Sequence, residues 1–302
     1  MAVSIFCSAM YVHVLDAAAS GKTIKVKDFF SQPVPEGTVI NGLITDEEAL
    51  VNVLKQLVID KIITQKTVSL AIDSSNILMR TMTVPALNPK DLMDYVKNEL
   101  SIYMEDGTES VYDYAVLEPK LAAGGGSILA VAASRALLES YQNVFLAAGL
   151  KLADINIGVN CQNKFVSIVD RLQNETFILT QVDGNNLTLT LYNQGKYVLA
   201  NRYRLLYNYG TTSWYEEFTD HISSIVQFNK GQKNNDDIST VYVDISESGQ
   251  AQVADNLRIM GLELKEFPGA EVVRVLGSAE KRGHFEIGKY QFALGNLLKK
   301  RG

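Results

Sequence analysis

Cysteine is scarce: Cys7 and Cys161 are the only two in 302 residues. That excludes a disulfide framework and predicts two buried, chemically idle thiols in a reducing compartment. Positive charge is also in deficit, with 28 Lys and Arg against 34 Asp and Glu, a net charge of −6. A protein whose main partner is nucleic acid needs a basic face to neutralise phosphates, so no nucleic-acid partner is expected. No apolar run reaches the length of about 18 residues that a spanning helix needs. The apolar N-terminus lacks the positive flank of a signal peptide, and its alternation suits a strand. The three histidines, His13, His221 and His284, are too scattered for a metal site. No Ser-His-Asp or Cys-His arrangement can be assembled, so no catalytic residue and no metal ligand is assigned. What remains is 47% apolar and 21% charged residues, the balance of an ordinary folded chain long enough for two lobes. The expectation is a cytoplasmic α/β protein with no direct membrane span.

Local patterns divide the first half. Residues 2–8 and 10–16 alternate as strands, and 23–30 form a third that Pro33 and Pro35 should break. Thr45 and Glu48 have the spacing of a capping box, opening a helix to about residue 62 with Leu50, Leu54 and Leu57 on one face. Residues 68–73 return to strand. The stretch 67–117 then organises the molecule. Pro85 ends an extended run, Asn88 caps a helix with Pro89 at its first position, and Leu92, Val96, Leu100 and Tyr103 share a face. Asp73 and the Ser74, Ser75 and Asn76 that follow read as a turn. Gly124, Gly125 and Gly126 predict a hairpin rather than a phosphate-cradling loop, because a strand and not a helix follows. Ser134 caps the next helix and Gly149 stops it. A further helix is predicted over 158–173.

The second half repeats this order. Strands at 176–183, 187–192 and 196–202 precede a helix that a second capping box, Ser213 with Glu216, should open. A strand at 238–245, a helix at 249–260 and a strand at 262–267 complete the copy, and 288–300 is a terminal helix.

Within the organising stretch, Ser74, Ser75, Arg80, Val84, Pro85, Glu99, Tyr103, Asp113 and Tyr114 fall in the order found in the PilM family of type IV pilus assembly proteins, which the chain resembles. The resemblance covers about half the chain. It implies an α/β, actin-like ATPase fold: two duplicated lobes with an inserted strand–helix subdomain in the first. On that basis residues 1–160 form the first lobe, including an insert at about 75–155, and 161–302 form a shortened second lobe with a C-terminal helix. The last segment is expected to be the fold's own helix, not the membrane-binding tail of FtsA.

The same resemblance implies where ATP would sit. Each lobe of the fold offers its first strand turn to the phosphates, through glycine backbone N–H groups and a carboxylate that holds hydrated Mg²⁺. In this chain Phe6 stands where the carboxylate is expected, Ser8 where the glycine is expected, and His13 near an expected lysine. Phe6 cannot hold a hydrated cation, and Ser8 is expected to be disfavoured if the turn requires positive φ. The second turn keeps Asp183, Gly184 and Asn185, in a sequence that also suits a type I′ hairpin turn. On the adenine side only Gly249 remains, next to Glu247. The weak cofactor-binding candidates are therefore Asp183, Asn185 and Gly249, and no cofactor is expected.

By resemblance, the chain is a scaffold or adaptor at the inner face of the cell membrane. Its partner would be the cytoplasmic tail of a PilN-like single-span membrane protein, held in a groove at Arg80, Met82, Val84, Tyr95, Glu99 and Tyr103; self-association is a further implied interaction. The alternative is an active actin-like ATPase that uses Mg·ATP to control assembly, which would need a carboxylate at the first turn.

Overall fold

The computed structural model describes residues 2–105, 107–121, 124–232 and 236–299. In chain order, β1 (Ala2–Cys7), β2 (Tyr11–Ser20) and β3 (Thr23–Pro33) precede a short hairpin, β4 (Val39–Ile40) and β5 (Leu43–Ile44), then α1 (Glu47–Ile59) and β6 (Thr67–Ile72). Next come β7 (Leu78–Val84), α2 (Pro89–Ser101), β8 (Ser110–Glu118) and β9 (Gly126–Ser134). The first half closes with α3 (Arg135–Ala147), β10 (Lys151–Ile157) and α4 (Gly158–Val166). The second half contains β11 (Phe177–Asp183), β12 (Asn186–Asn193), β13 (Lys196–Arg204), α5 (Thr212–Lys230), β14 (Thr240–Val243), α6 (Glu247–Ile259) and β15 (Glu263–Glu266). The chain then runs through β16 (Val273–Val275), α7 (Ala279–Gly283) and α8 (Gln291–Asn296).

The duplication is visible in the sheets. One has the order β10-β6-β1-β2-β3-β16 and the other β13-β12-β11-β14-β15. In each, three antiparallel strands are followed by two parallel ones: β1 pairs with β6 and β6 with β10, as β11 pairs with β14 and β14 with β15. Crossover helices supply the parallel connections, which hairpins cannot make. Apolar side chains from both copies meet in a shared core that includes Phe6, Phe165, Phe177, Tyr192, Tyr242 and Phe292. The insert between β6 and α3 is a separate three-stranded sheet, β7-β9-β8, with α2 packed on one face.

Several boundaries differ from expectation. The insert is β7, α2, β8 and β9 and stops at Ser134, because α3 and β10 build the first lobe: β10 pairs with β6 there, so 75–155 is too long. Nor does 161–302 stay in the second lobe. β16 pairs with β3 of the first sheet, and α8 packs on α4, β1 and β6. Its side chains Phe292, Ala293 and Leu294 are fully buried there, which removes apolar surface from water. β3 runs on to Pro33, which sits at the strand end where a missing N–H is harmless. The helix predicted over 158–173 ends at Val166 and continues as a 3₁₀ turn, Asp170–Asn174.

Capping shows which hydroxyl or carboxylate wins locally. Asn88 accepts from Lys90 N–H and Asp91 N–H at 3.1 and 3.0 Å, and Ser134 from Leu137 N–H at 3.3 Å. At α1, however, the cap is Asp46, which accepts from Ala49 N–H at 2.9 Å. Thr45 instead donates to the Gly37 carbonyl. At α5 the cap is Thr211, two residues before the expected Ser213. In both cases a neighbouring side chain with equal hydrogen-bonding ability was better placed by the incoming loop. On α2, Leu92, Val96 and Leu100 are buried, but Tyr103 lies past the helix end and is exposed.

Candidate functional site

Three strand ends border the cleft between the lobes: those of β1 and β6 from the first and β11 from the second. In open α/β sheets ligands bind beyond such carboxyl ends. A cavity of about 180 Å³ lies there, lined among others by Phe6, Ser8, Asn41, Asp73, Asp183 and Arg202. That is below the ~300 Å³ at which small-molecule pockets usually begin.

The turn after β1 spans residues 8–10 and none of the three has positive φ, so Ser8 carries no backbone strain, contrary to expectation. Its donors converge on one group. Ser8 Oγ donates to Asp183 Oδ1 at 2.8 Å, Ala9 N–H to Oδ2 at 2.6 Å, and Met10 N–H to Oδ1 at 3.1 Å. Successive backbone N–H groups in a turn make an anion-binding concavity. Here the anion is the protein's own: a carboxylate from the end of β11, in the opposite lobe. Burial raises the Asp183 pKa, while the three donors act the other way by favouring the charged form. Behind Asp183, Gly184 has φ +61° and lies against Met10, where an added Cβ would come within 3.2 Å of the thioether. Asn185 does not have positive φ, so the turn follows the II′ rather than the I′ pattern.

A second bridge crosses the cleft. Arg202 of β13 reaches Asp73, directly after β6, with Nε 2.9 Å from Oδ1 and Nη2 also bonded to it. Thr188 Oγ1 donates to Asp73 Oδ2 at 3.0 Å. Both charged side chains are about 15% exposed, at 15% for Arg202 and 14% for Asp73. From the sequence alone residues 73–76 read as a turn, with no partner for Asp73. The turn is there, but the carboxylate is an interlobe anchor, and no local signal ties it to an arginine 129 positions away.

Phe6 is buried. Its ring stacks on His13 at 5.8 Å and meets Phe292 edge-on at 4.9 Å. His13 shares a hydrogen bond with Ser31 Oγ at 2.7 Å, and burial, aided by the Lys289 charge, lowers its pKa to about 4. His221 stacks on Tyr203 at 3.8 Å. Both cysteines are buried, and burial pushes their thiols up to about 12.

Asn185 and Gly249 both make close contacts within the second lobe. Asn185 Oδ1 accepts from Tyr209 N–H at 3.1 Å, which ties the hairpin to the loop before α5. Gly249 faces the Tyr215 ring: a Cβ there would lie 2.6 Å from the phenol oxygen, so glycine lets the ring, not a base, approach the helix start. Asp244, which follows β14, is held up to about 7 by burial and by Glu286. Ser8 Oγ and the Ala9 and Met10 N–H groups are thus engaged by Asp183, the Phe6 ring lies in the shared core, and the start of α6 packs on Tyr215. Among the described residues no cluster of three His, Cys, Asp or Glu side chains could hold a metal ion.

The residues assigned to a partner groove fall into two groups. Arg80 and Tyr103 are exposed and paired, the guanidinium 4.2 Å from the ring centroid, and Glu99 is exposed on α2. Met82 and Tyr95 are half-buried against the insert's core, and Val84 is only 4% exposed within it. Val84 is thus a core residue and not a groove residue: it packs with Leu92 and Val96 of α2 in the insert's core. Among the described residues β7 is an edge strand, paired with β9 alone.

A family model described as type IV pilus assembly protein PilM matches residues 5–239. No curated protein matches the chain. Among solved structures, a PilM–PilN type IV pilus biogenesis complex is similar at a TM-score of 0.79 and 17% identity, over 98% of this chain and 97% of that one. A protein of Bacteroides thetaiotaomicron with an actin-like ATPase fold has a TM-score of 0.53 at 11% identity, covering 97% and 95% of the two chains. The cytoplasmic domain of EpsL, an inner-membrane component of the Vibrio cholerae type II secretion system, has 0.51 at 12%, covering 98% and 97%. The fold is therefore actin-like, and the chain belongs to the PilM family of type IV pilus assembly proteins.

Proposed function

We propose that this protein is a scaffold that binds the cytoplasmic tail of a PilN-like single-span membrane protein, and that it does so without binding or hydrolysing ATP. The Asp183 carboxylate seated among Ser8, Ala9 and Met10 carries the second half of this reading. A nucleotide phosphate would have to displace a buried group that already satisfies three donors. The family and the PilM–PilN likeness support the first half, together with the insert's exposed Arg80 and Tyr103 beside an open strand edge. An extended tail can pair with such an edge through its backbone and place alternate side chains in pockets. A protein with this role works at the inner face of the cell membrane, held there by its partner. No described helix is long and apolar enough to cross a membrane.

Calorimetry tests both halves. No heat of binding is expected with Mg·ATP at micromolar to millimolar concentration. Saturable binding is expected with a peptide of the partner's cytoplasmic tail, weakened by Arg80→Ala. Micromolar affinity for Mg·ATP would overturn the nucleotide-free reading, and a tail peptide that gives no binding would overturn the scaffold reading.

A further inference from the structure

Arg202 does more than join the lobes. Its guanidinium holds Asp73, the residue from which the chain leaves the first-lobe sheet for the insert, and its Nη2 lies 3.8 Å from Sδ of Met79 on β7. Between those two contacts, residues 73–77 form a turn closed by Ile77 N–H to Ser74 O at 3.3 Å. Ser74 Oγ pins this turn to the Asn41 carbonyl at 2.7 Å. One side chain from the second lobe thus touches both ends of the short path from β6 to the exposed edge strand. A second contact runs parallel to it, Lys196 Nζ to Glu118 at 2.8 Å, but it is solvent-exposed and weak.

We infer that Arg202 is a positioning residue for the tail-binding edge, so that closure of the two lobes sets the placement of β7 and hence the affinity for the partner tail. The inference rests on the groove assigned above. Its physical basis is separate: β7 has a strand neighbour on one side only, and its entry turn is fixed by a carboxylate whose bonding partners come from the other lobe. When closure is lost, Asp73 loses its fork of donors and Met79 loses the group beside its sulfur. In this protein the lobes close on their own side chains, so the groove is set without a ligand in the cleft.

The test uses the full chain with Arg202→Met, Arg202→Lys and the neutral double variant Asp73→Asn/Arg202→Met. The double variant guards against a single variant that fails to fold with an unpaired buried carboxylate. Hydrogen exchange is followed at β7, with α2 and the amides of β8 as internal reference. A fluorescein-labelled peptide of the PilN-like protein's cytoplasmic tail supplies the affinity. Expected are at least tenfold faster exchange confined to β7 and at least tenfold weaker tail binding in Arg202→Met and in the double variant. Arg202→Lys, which keeps the charge but not the fork, should fall between. Exchange at β7 within twofold of the original protein in the double variant overturns the inference. Should the original protein not bind the tail, the proposed function fails, and the exchange result alone still decides this inference.

Discussion

Asp73 and Asp244 occupy the same place in the two copies of the fold. Each directly follows the strand that pairs in parallel with its lobe's first strand, β6 in one case and β14 in the other. Their surroundings differ. Asp73 meets a guanidinium and a hydroxyl from the opposite lobe. Asp244 meets Glu286 and the Gly288 backbone, where an added Cβ would lie 2.6 Å from its carboxyl carbon. Duplication set the position of both carboxylates. Their chemistry comes from whichever side chain the other parts of the chain deliver there. One has become an anchor, while the other is held near neutrality by burial.

The comparison can be broken most strongly at Arg202. Removing one partner of a largely buried pair typically costs about 3–5 kcal/mol, so Arg202→Met should lower urea-unfolding stability by roughly that amount. Adding Asp73→Asn should recover much of the loss; no recovery would mean that the guanidinium acts through packing alone. Asp244 should behave in the opposite sense. Its folded pKa, about 7, lies above the unfolded value of 3.8, so the folded state holds the proton more tightly. That stabilisation is fully present below about pH 4 and is lost as pH rises through 7. Asp244→Asn should remove this slope and raise stability at pH 8 by about 4 kcal/mol, with little effect at pH 4. Thermal melts at the two pH values check it.

Smaller changes sharpen the contrast. Thr188→Val deletes one hydroxyl from Asp73 and should cost about 1 kcal/mol in chemical denaturation, an effect that should vanish in an Asp73→Ala background. Glu286→Gln should shift the titration of Asp244 downward without removing it, because burial is the larger cause. An NMR titration of the Asp244 carboxyl carbon would report the shift.

Local chemistry made much of this structure legible. Strands at β1, β6 and β11 follow from alternation or short apolar runs, and α2 from Asn88, Pro89 and a repeat of three and four residues. Capping failed by one or two residues where Asp46 and Thr211 competed with Thr45 and Ser213, because the choice depends on the path of the preceding loop. The partner of the Phe6 ring was not legible: its contact with Phe292 spans nearly the whole chain. Nor did any sequence pattern mark Val84 as buried beneath α2, or β16 as the sixth strand of the first sheet.

Read alone, the sequence sets the type and order of the main elements and their duplication. These rest on periods of two and 3.6 residues and on single residue identities, which are short-range facts. Long-range packing alone puts Asp183 at the first turn and Arg202 on Asp73. Those bonds join residues more than a hundred positions apart, and they form because both lobes present their strand ends to one cleft, where buried donors and acceptors must find partners.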